Sequence, residues 1–196
     1  MCPHPLAESP ATLAQGRSGD HLCLDLVCTM MVAMTLAGQG SSGFAIRSAA
    51  FQANAAIPSQ HTCDDADTSP ALEWSGEPAG TRSFALVVHD PDAPAGEWLH
   101  WTAWNIPPAT HALAADVPKK ESLPDGTRQG RNDFGKPGYS GPCPPSGTHR
   151  YVFELYALDA MLNLPATASR RQIEQAIQEH HLSRATLTGT YKRAPR

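Results

Sequence analysis

The sequence predicts a mainly β, loop-rich fold, with one domain preceded by an extension. The chain is 196 residues long, close to the size of a single domain. Its 15 glycines and 18 prolines are many for a helical protein, and short apolar, β-branched runs alternate with polar turns. The 41% of hydrophobic residues can form one sizeable core. A net charge of −4 without a basic stripe argues against nucleic-acid binding.

Residues 1–43 differ from the rest and are expected to lie outside the folded domain. Residues 1–21 are polar and without hydrophobic period, which is typical of disorder. The apolar run Leu26–Ala37 is too short to span a bilayer but has the length of a signal-peptide core. Ahead of it only Arg17 is clearly basic, whereas several acids are present. We therefore expect a periplasmic or secreted protein without a transmembrane span, and keep a cytoplasmic protein as the alternative.

Residues 44–196 are predicted to be the folded domain, and its first elements are short. Phe44–Arg47 is predicted as an edge strand, and Ser69–Trp74 brings the chain back into the core. Between them, Pro58–Ser69 carries three aspartates but lacks the glycine and the final glutamate of a calcium loop. A solvated loop is expected there.

The strongest strand signal lies in residues 85–106. Phe84–Val88 is apolar and β-branched, and Trp98–Ile106 resumes as a second strand. Between them, Asp90–Pro94 must be an extended turn, because each proline removes a backbone donor and restrains the residue before it. Alternation predicts that one face of the second strand carries Trp98, His100, Thr102 and Trp104. Carboxylates, an indole and an imidazole would then meet at one rim of a sheet, as in a pocket.

The next segment, residues 107–148, is predicted to be long, glycine-rich and irregular. Such a loop inside a compact domain is usually either functional or disordered. We favour a structured loop lining a site, with a plain surface connection as the alternative, because it carries Arg128, Arg131, Asn132, Asp133, Phe134 and Tyr139.

The last part of the chain is predicted to hold two strands and a helix. His149–Leu158 is a strand that places His149, Tyr151, Phe153 and Leu155 on one face. A helix begins after Ser169, which forms a capping box with Gln172. Its apolar stripe consists of Ile173, Ala176 and Ile177. Ser183–Tyr191 is the closing strand.

Of the five cysteines, three lie in the extension, and Cys63 and Cys143 lie in polar loops of the domain. An exported domain would make a disulfide between these two plausible. The sequence does not fix the distance between them. The absence of a second C-x-x-C motif or of neighbouring ligand-spaced histidines argues against zinc.

Three motifs resemble those of the phosphatidylethanolamine-binding protein family. They are the run Asp90–Pro94 followed by Trp98, His100 and Trp101, the glycine-rich segments 130–135 and 141–145, and Gly147–Tyr151. The middle segments are similar to the bacterial, Raf-kinase-inhibitor-like branch. The resemblance covers residues 44–193 and implies an antiparallel Greek-key β-sandwich with a few peripheral helices. It also implies a cis bond between Ala93 and Pro94.

For function, the resemblance implies a small, rigid pocket for phosphate-containing ligands or phospholipid headgroups, without a cofactor and without enzymatic activity. The pocket residues by matching position are Asp90, Asp92, Trp98, His100, Gly141, Pro142, His149 and Tyr151. A protein kinase or a protease is a further partner that the family suggests, and the chain is expected to be a monomer or a homodimer.

We expect the two imidazoles to donate to the anion, with Asp90 orienting one of them. Backbone N–H groups around Gly141 are expected to add donors, and Arg150, on the opposite face, is expected to form a structural ion pair. The main alternative is a metal-dependent hydrolase using Asp90, Asp92, His100 and His149 as ligands. A nucleophilic hydrolase is disfavoured, because the sequence has no G-x-S-x-G elbow. Two departures from the family pattern, at His89 and Asp65, bear on ligand charge.

Overall fold

The computed structural model describes residues 43–165 and 167–193. The expectations for residues 1–42 lie outside this part of the chain. The regular elements are β1 (Ala45–Arg47), β2 (Leu72–Ser75), β3 (Ser83–Asp90), β4 (Trp98–Ile106), β5 (Ala112–Leu113), β6 (Arg128–Gln129), β7 (Thr148–Leu158), α1 (Arg170–His180) and β8 (His181–Lys192). A 3₁₀ turn occupies Ser59–His61.

Two antiparallel sheets form a sandwich. The small sheet has the order β1-β2-β5, and the large sheet has the order β6-β4-β3-β7-β8. After the β3–β4 hairpin the chain makes a long connection and returns as β7 beside β3, as in a Greek key. Side chains of both sheets share one core, in which Trp74 of β2 packs edge-on against Phe84 of β3. The predicted antiparallel β-sandwich is confirmed.

Helix α1 covers the other face of the large sheet. Its predicted capping box is present, with Ser169 and Gln172 bonded reciprocally. Ile173 and Ile177 are buried in a second cluster that includes Val87 and Trp104 of the sheet. In the described part of the chain, no helix has both the length and the apolar character needed to cross a bilayer.

The predicted face of β4 is wrong because the strand contains a bulge. Val88 pairs with Trp101 and His89 pairs with Leu99, so His100 is an extra residue on β4. An inserted residue shifts the alternation by one position, which moves the residues after it to the opposite face. Trp104 therefore packs in the helix-side cluster, whereas Trp101 points into the core between the sheets.

Candidate functional site

A cavity of about 240 Å³ opens beside the turn between β3 and β4. Four of the predicted site residues line it together: Asp90, Trp98, His100 and His149. The remaining wall is almost entirely apolar and consists of Ala93, Pro94, Ala95, Phe134, Cys143, Pro144 and Pro145. Three segments distant in sequence thus converge on one small space, and no lysine or arginine lies among the residues that line it.

Asp90 and His149 form a buried pair at the base of the cavity. The imidazole Nδ1 of His149 lies 2.7 Å from Asp90 Oδ2, and the second carboxylate oxygen accepts the backbone N–H of Asp92 at 2.8 Å. Because a carboxylate oxygen only accepts, Nδ1 must carry the proton. Asp90 therefore fixes the tautomer and the orientation of His149, and leaves Nε2 toward the cavity.

His100 is held in a similar way by a backbone carbonyl. Its Nδ1 donates to the carbonyl of Ser140 at 2.6 Å. The ring packs edge-on between Phe134 and Tyr151, with centroid distances of 5.3 and 5.2 Å. Burial lowers the pKa of His100, although the Ser140 carbonyl and the charge of Asp90 act in the opposite direction. The neutral ring then presents an unprotonated Nε2.

The bulge that aims His100 is supported by the hairpin that follows Gly130. Asp133 accepts the N–H of Leu99 at 2.6 Å and donates its own N–H to the Leu99 carbonyl. The Asn132 amide donates to the His100 carbonyl and to the Ser140 hydroxyl. These side chains satisfy backbone groups of the bulge. The expectation of a structured loop that lines a site agrees with this arrangement, because Phe134 at the hairpin tip forms part of the cavity wall.

Asp92 lies outside the cavity and is bound to Arg150. The guanidinium contacts both carboxylate oxygens, at 2.6 and 2.9 Å, and the Arg150 backbone N–H adds a third bond at 2.9 Å. These bonds lower the pKa of Asp92 to about 2. The ion pair expected for Arg150 is present. Its partner is Asp92, which was predicted to line the pocket and does not.

The expected anion nest at Gly141 is wrong. The N–H of Gly141 donates to the Asp67 carboxylate at 2.6 Å, so it is not available to a ligand. Asp67 also binds Lys119, so the aspartate-rich loop is docked and not merely solvated. Gly141, Pro142 and Tyr151 are buried beside the cavity but do not line it.

Two further expectations concern covalent geometry. Cys63 and Cys143 form a disulfide with a Cα–Cα distance of 5.4 Å, which ties the aspartate-rich loop to the cavity wall. The expected cis bond before Pro94 is wrong, because no described peptide bond is cis. Gly96 reverses the chain instead, with φ of 97° and an N–H donated to the Ala93 carbonyl.

His89, one of the two departures from the family pattern, does not reach the cavity. Its ring contacts Glu97 and Glu154 on the helix-covered side of the sheet. It therefore adds no basic group to the site.

Pro144 and Pro145 were missing from the predicted site residues, and Phe134 was named only as part of a loop expected to line a site. Pro144 and Pro145 follow a cysteine in a segment that has the composition of a turn. The rigidity of two consecutive prolines could nevertheless have indicated a fixed wall. Phe134 has 39% of its surface exposed, and such exposure cannot be read from sequence.

The four candidate metal ligands of the alternative reading are not arranged as a metal site. In residues 43–165 and 167–193 no three His, Cys, Asp or Glu side chains are grouped so that they could hold a metal ion. Two of the four ligands that a hydrolase would need are already used, Asp90 by His149 and Asp92 by Arg150. The site offers two oriented imidazoles in an apolar space.

Comparison of the sequence and the structure with known proteins shows the family to which the chain belongs. The model of the phosphatidylethanolamine-binding protein family matches residues 47–192. A UPF0098 protein of Methanothermobacter thermautotrophicus is 48% identical over 148 residues, which are 76% of this chain and 98% of that protein. The crystal structure of Escherichia coli YbcL superposes with a TM-score of 0.73 at 35% identity, covering 78% of this chain and 100% of YbcL. A phosphatidylethanolamine-binding protein homologue from Chlamydia trachomatis gives a TM-score of 0.71 at 34% identity, covering 78% of this chain and 99% of that one. On its motifs, its fold and these matches, the chain belongs to the phosphatidylethanolamine-binding protein family.

Proposed function

We propose that this protein binds small phosphate-containing anions, as free molecules or as phospholipid headgroups, without catalysing a reaction. The observation that carries the proposal is the pair of imidazoles, His100 and His149, whose orientations are fixed and whose Nε2 atoms face one cavity. Each Nε2 can form a strong hydrogen bond to an anionic oxygen, either as a protonated donor or as the acceptor of a proton that the ligand carries. The apolar wall lowers the local dielectric, which strengthens such bonds.

Calorimetric titration with inorganic phosphate tests this proposal. We expect His149→Gln to weaken binding by about 10- to 100-fold, the value of one hydrogen bond to a charged group. Glutamine keeps an amide that can donate to the buried Asp90, which alanine would leave without a partner. His180→Ala is the matched control, because His180 is an exposed histidine paired with Asp159 and does not line the cavity. An affinity of His149→Gln equal to that of the unmodified protein would contradict the proposal.

A regulatory role with a protein partner, such as a kinase or a protease, is a further part of the proposal. The exposed Phe134 at the cavity wall supports it, because aromatic side chains often anchor protein interfaces and this one would contact both a bound ligand and a partner. A pull-down with and without phosphate, using the unmodified protein and Phe134→Ala, tests the idea. Capture that depends neither on phosphate nor on Phe134 would exclude it. Sedimentation analysis decides between monomer and homodimer.

Export to an oxidising compartment is also proposed. The Cys63–Cys143 disulfide supports it, because such bonds persist outside the reducing cytosol. N-terminal sequencing of the mature protein should find a start after residue 37, at the end of the signal-peptide-like run. A mature protein that retains residues 1–37 would contradict it.

A further inference from the structure

The candidate cavity has no permanent positive charge of its own. The charged groups that act on His100 are carboxylates, namely Asp90 from β3, Asp133 from the hairpin and Asp67 from the disulfide-linked loop. Lys119 neutralises Asp67, and Arg150 neutralises Asp92 beside His149. The uncompensated charge nearest the cavity is therefore negative, which is unfavourable for an anion.

The imidazoles do not offset this charge while they are neutral. Both Nδ1 atoms donate to oxygens that only accept, so in a neutral ring the remaining nitrogen, Nε2, is an acceptor. The indole N–H of Trp98 is closed off from solvent without a partner among the described residues, and the buried hydroxyl of Tyr151 lies against Asp90 and the backbone of Cys143. An anion without a proton would thus place its oxygens against two acceptor nitrogens.

We propose that the cavity takes up its anion together with one proton, held between the anion and an Nε2 of His100 or His149. It therefore selects phosphomonoesters over phosphodiesters, so that among phospholipid headgroups it favours those that end in a phosphomonoester. This inference rests on the proposed anion-binding function. The proton comes from solvent, and no covalent bond to phosphorus forms or breaks. A monoester can bring the proton itself, since its second pKa is about 6. A diester has no such proton and must draw it onto an imidazole, and burial disfavours the protonated form of His100.

Calorimetry with methyl phosphate and dimethyl phosphate tests this inference. Titrations in two buffers of different ionisation enthalpy give the number of protons taken up on binding. We expect about one proton per methyl phosphate above the ligand's second pKa, and an affinity that falls about tenfold per pH unit there. Dimethyl phosphate should bind about tenfold or more weakly at neutral pH, the equivalent of one pKa unit. His180→Ala should behave as the unmodified protein does, because it lies outside the cavity lining.

The outcomes separate this inference from the function on which it rests. If methyl phosphate binds without proton uptake, or if the diester binds as tightly, proton-coupled selection is overturned while anion binding stands. If neither ligand binds, both are overturned. His100→Gln and His149→Gln locate the proton, since an amide does not titrate in this range. At least one of them should either take up clearly less than one proton or bind methyl phosphate about tenfold or more weakly. Full uptake at unchanged affinity in both variants would place the proton elsewhere and overturn the assignment.

Discussion

The disulfide between Cys63 and Cys143 should contribute a large part of the stability of the fold. It closes a segment with a sequence separation of 80 residues. For that separation the loss of denatured-chain entropy is worth about 4.5 kcal/mol at 25 °C. Against a typical stability of about 5 to 15 kcal/mol, this is a substantial share. Residual structure in the denatured state reduces the effect, so we expect a loss of about 3 to 4.5 kcal/mol in the variant Cys63→Ser/Cys143→Ser.

Urea denaturation followed by tryptophan fluorescence measures this loss. Trp101 and Trp104 are fully buried and report on the two sides of the large sheet. With a slope of about 2 kcal/mol per molar urea, the midpoint should fall by about 1.5 to 2.3 M. Reductant should lower the midpoint of the unmodified protein by a similar amount and leave the double variant unchanged. Equal midpoints for the oxidised protein and the double variant would show that the disulfide does not stabilise the fold.

The double variant should nevertheless keep the native arrangement of the two loops. Besides the disulfide, Cys63 donates its N–H to the Pro142 carbonyl, and the Tyr139 hydroxyl donates to the His61 carbonyl. The Asp67–Gly141 bond adds a third link. The covalent bond therefore acts mainly on the unfolded chain, while hydrogen bonds position the cavity wall. Phosphate affinity, measured below the denaturation midpoint, separates these two contributions.

Two further outcomes are expected. Gly141→Ala should destabilise the fold by about 1 to 3 kcal/mol, because a Cβ there would overlap the carbonyl oxygen of His61, a backbone atom. The measurement is the thermal midpoint, and Gly43→Ala, whose Cβ meets no atom within 4 Å, is the control. Asp92 stabilises the fold above its ordinary pKa of 3.8, and this contribution should be lost as pH falls toward about 2. In Arg150→Ala the thermal midpoint should therefore depend less on pH between these two values. If its pH dependence equals that of the unmodified protein, the Asp92–Arg150 pair does not contribute to stability.

The bulge at His100 explains how one strand serves two purposes. Residues after it pack against the helix or the core, while His100 itself is turned toward the cavity. A bulge leaves backbone groups without ladder partners, and Asn132 and Asp133 satisfy those of His100 and Leu99. The hairpin is thus a structural requirement of the site as well as part of its wall.

The sequence alone predicted the class of fold, the capped helix and the strands β3, β4, β7 and β8, but not the short strands β5 and β6. The predicted elements rest on local signals, such as the period-2 pattern of β7 and the Ser169–Gln172 capping box. It also indicated four residues that do meet at one cavity, because their motifs resemble a family. Which acid faces the cavity depends on tertiary contacts, because His149 binds the buried Asp90 whereas Arg150 binds Asp92 outside the cavity. The bulge at His100 and the engagement of the Gly141 N–H by Asp67 depend in the same way on contacts between segments distant in the chain. Local patterns carry no information about such contacts, and this is why the predicted strand face and the predicted anion nest were wrong.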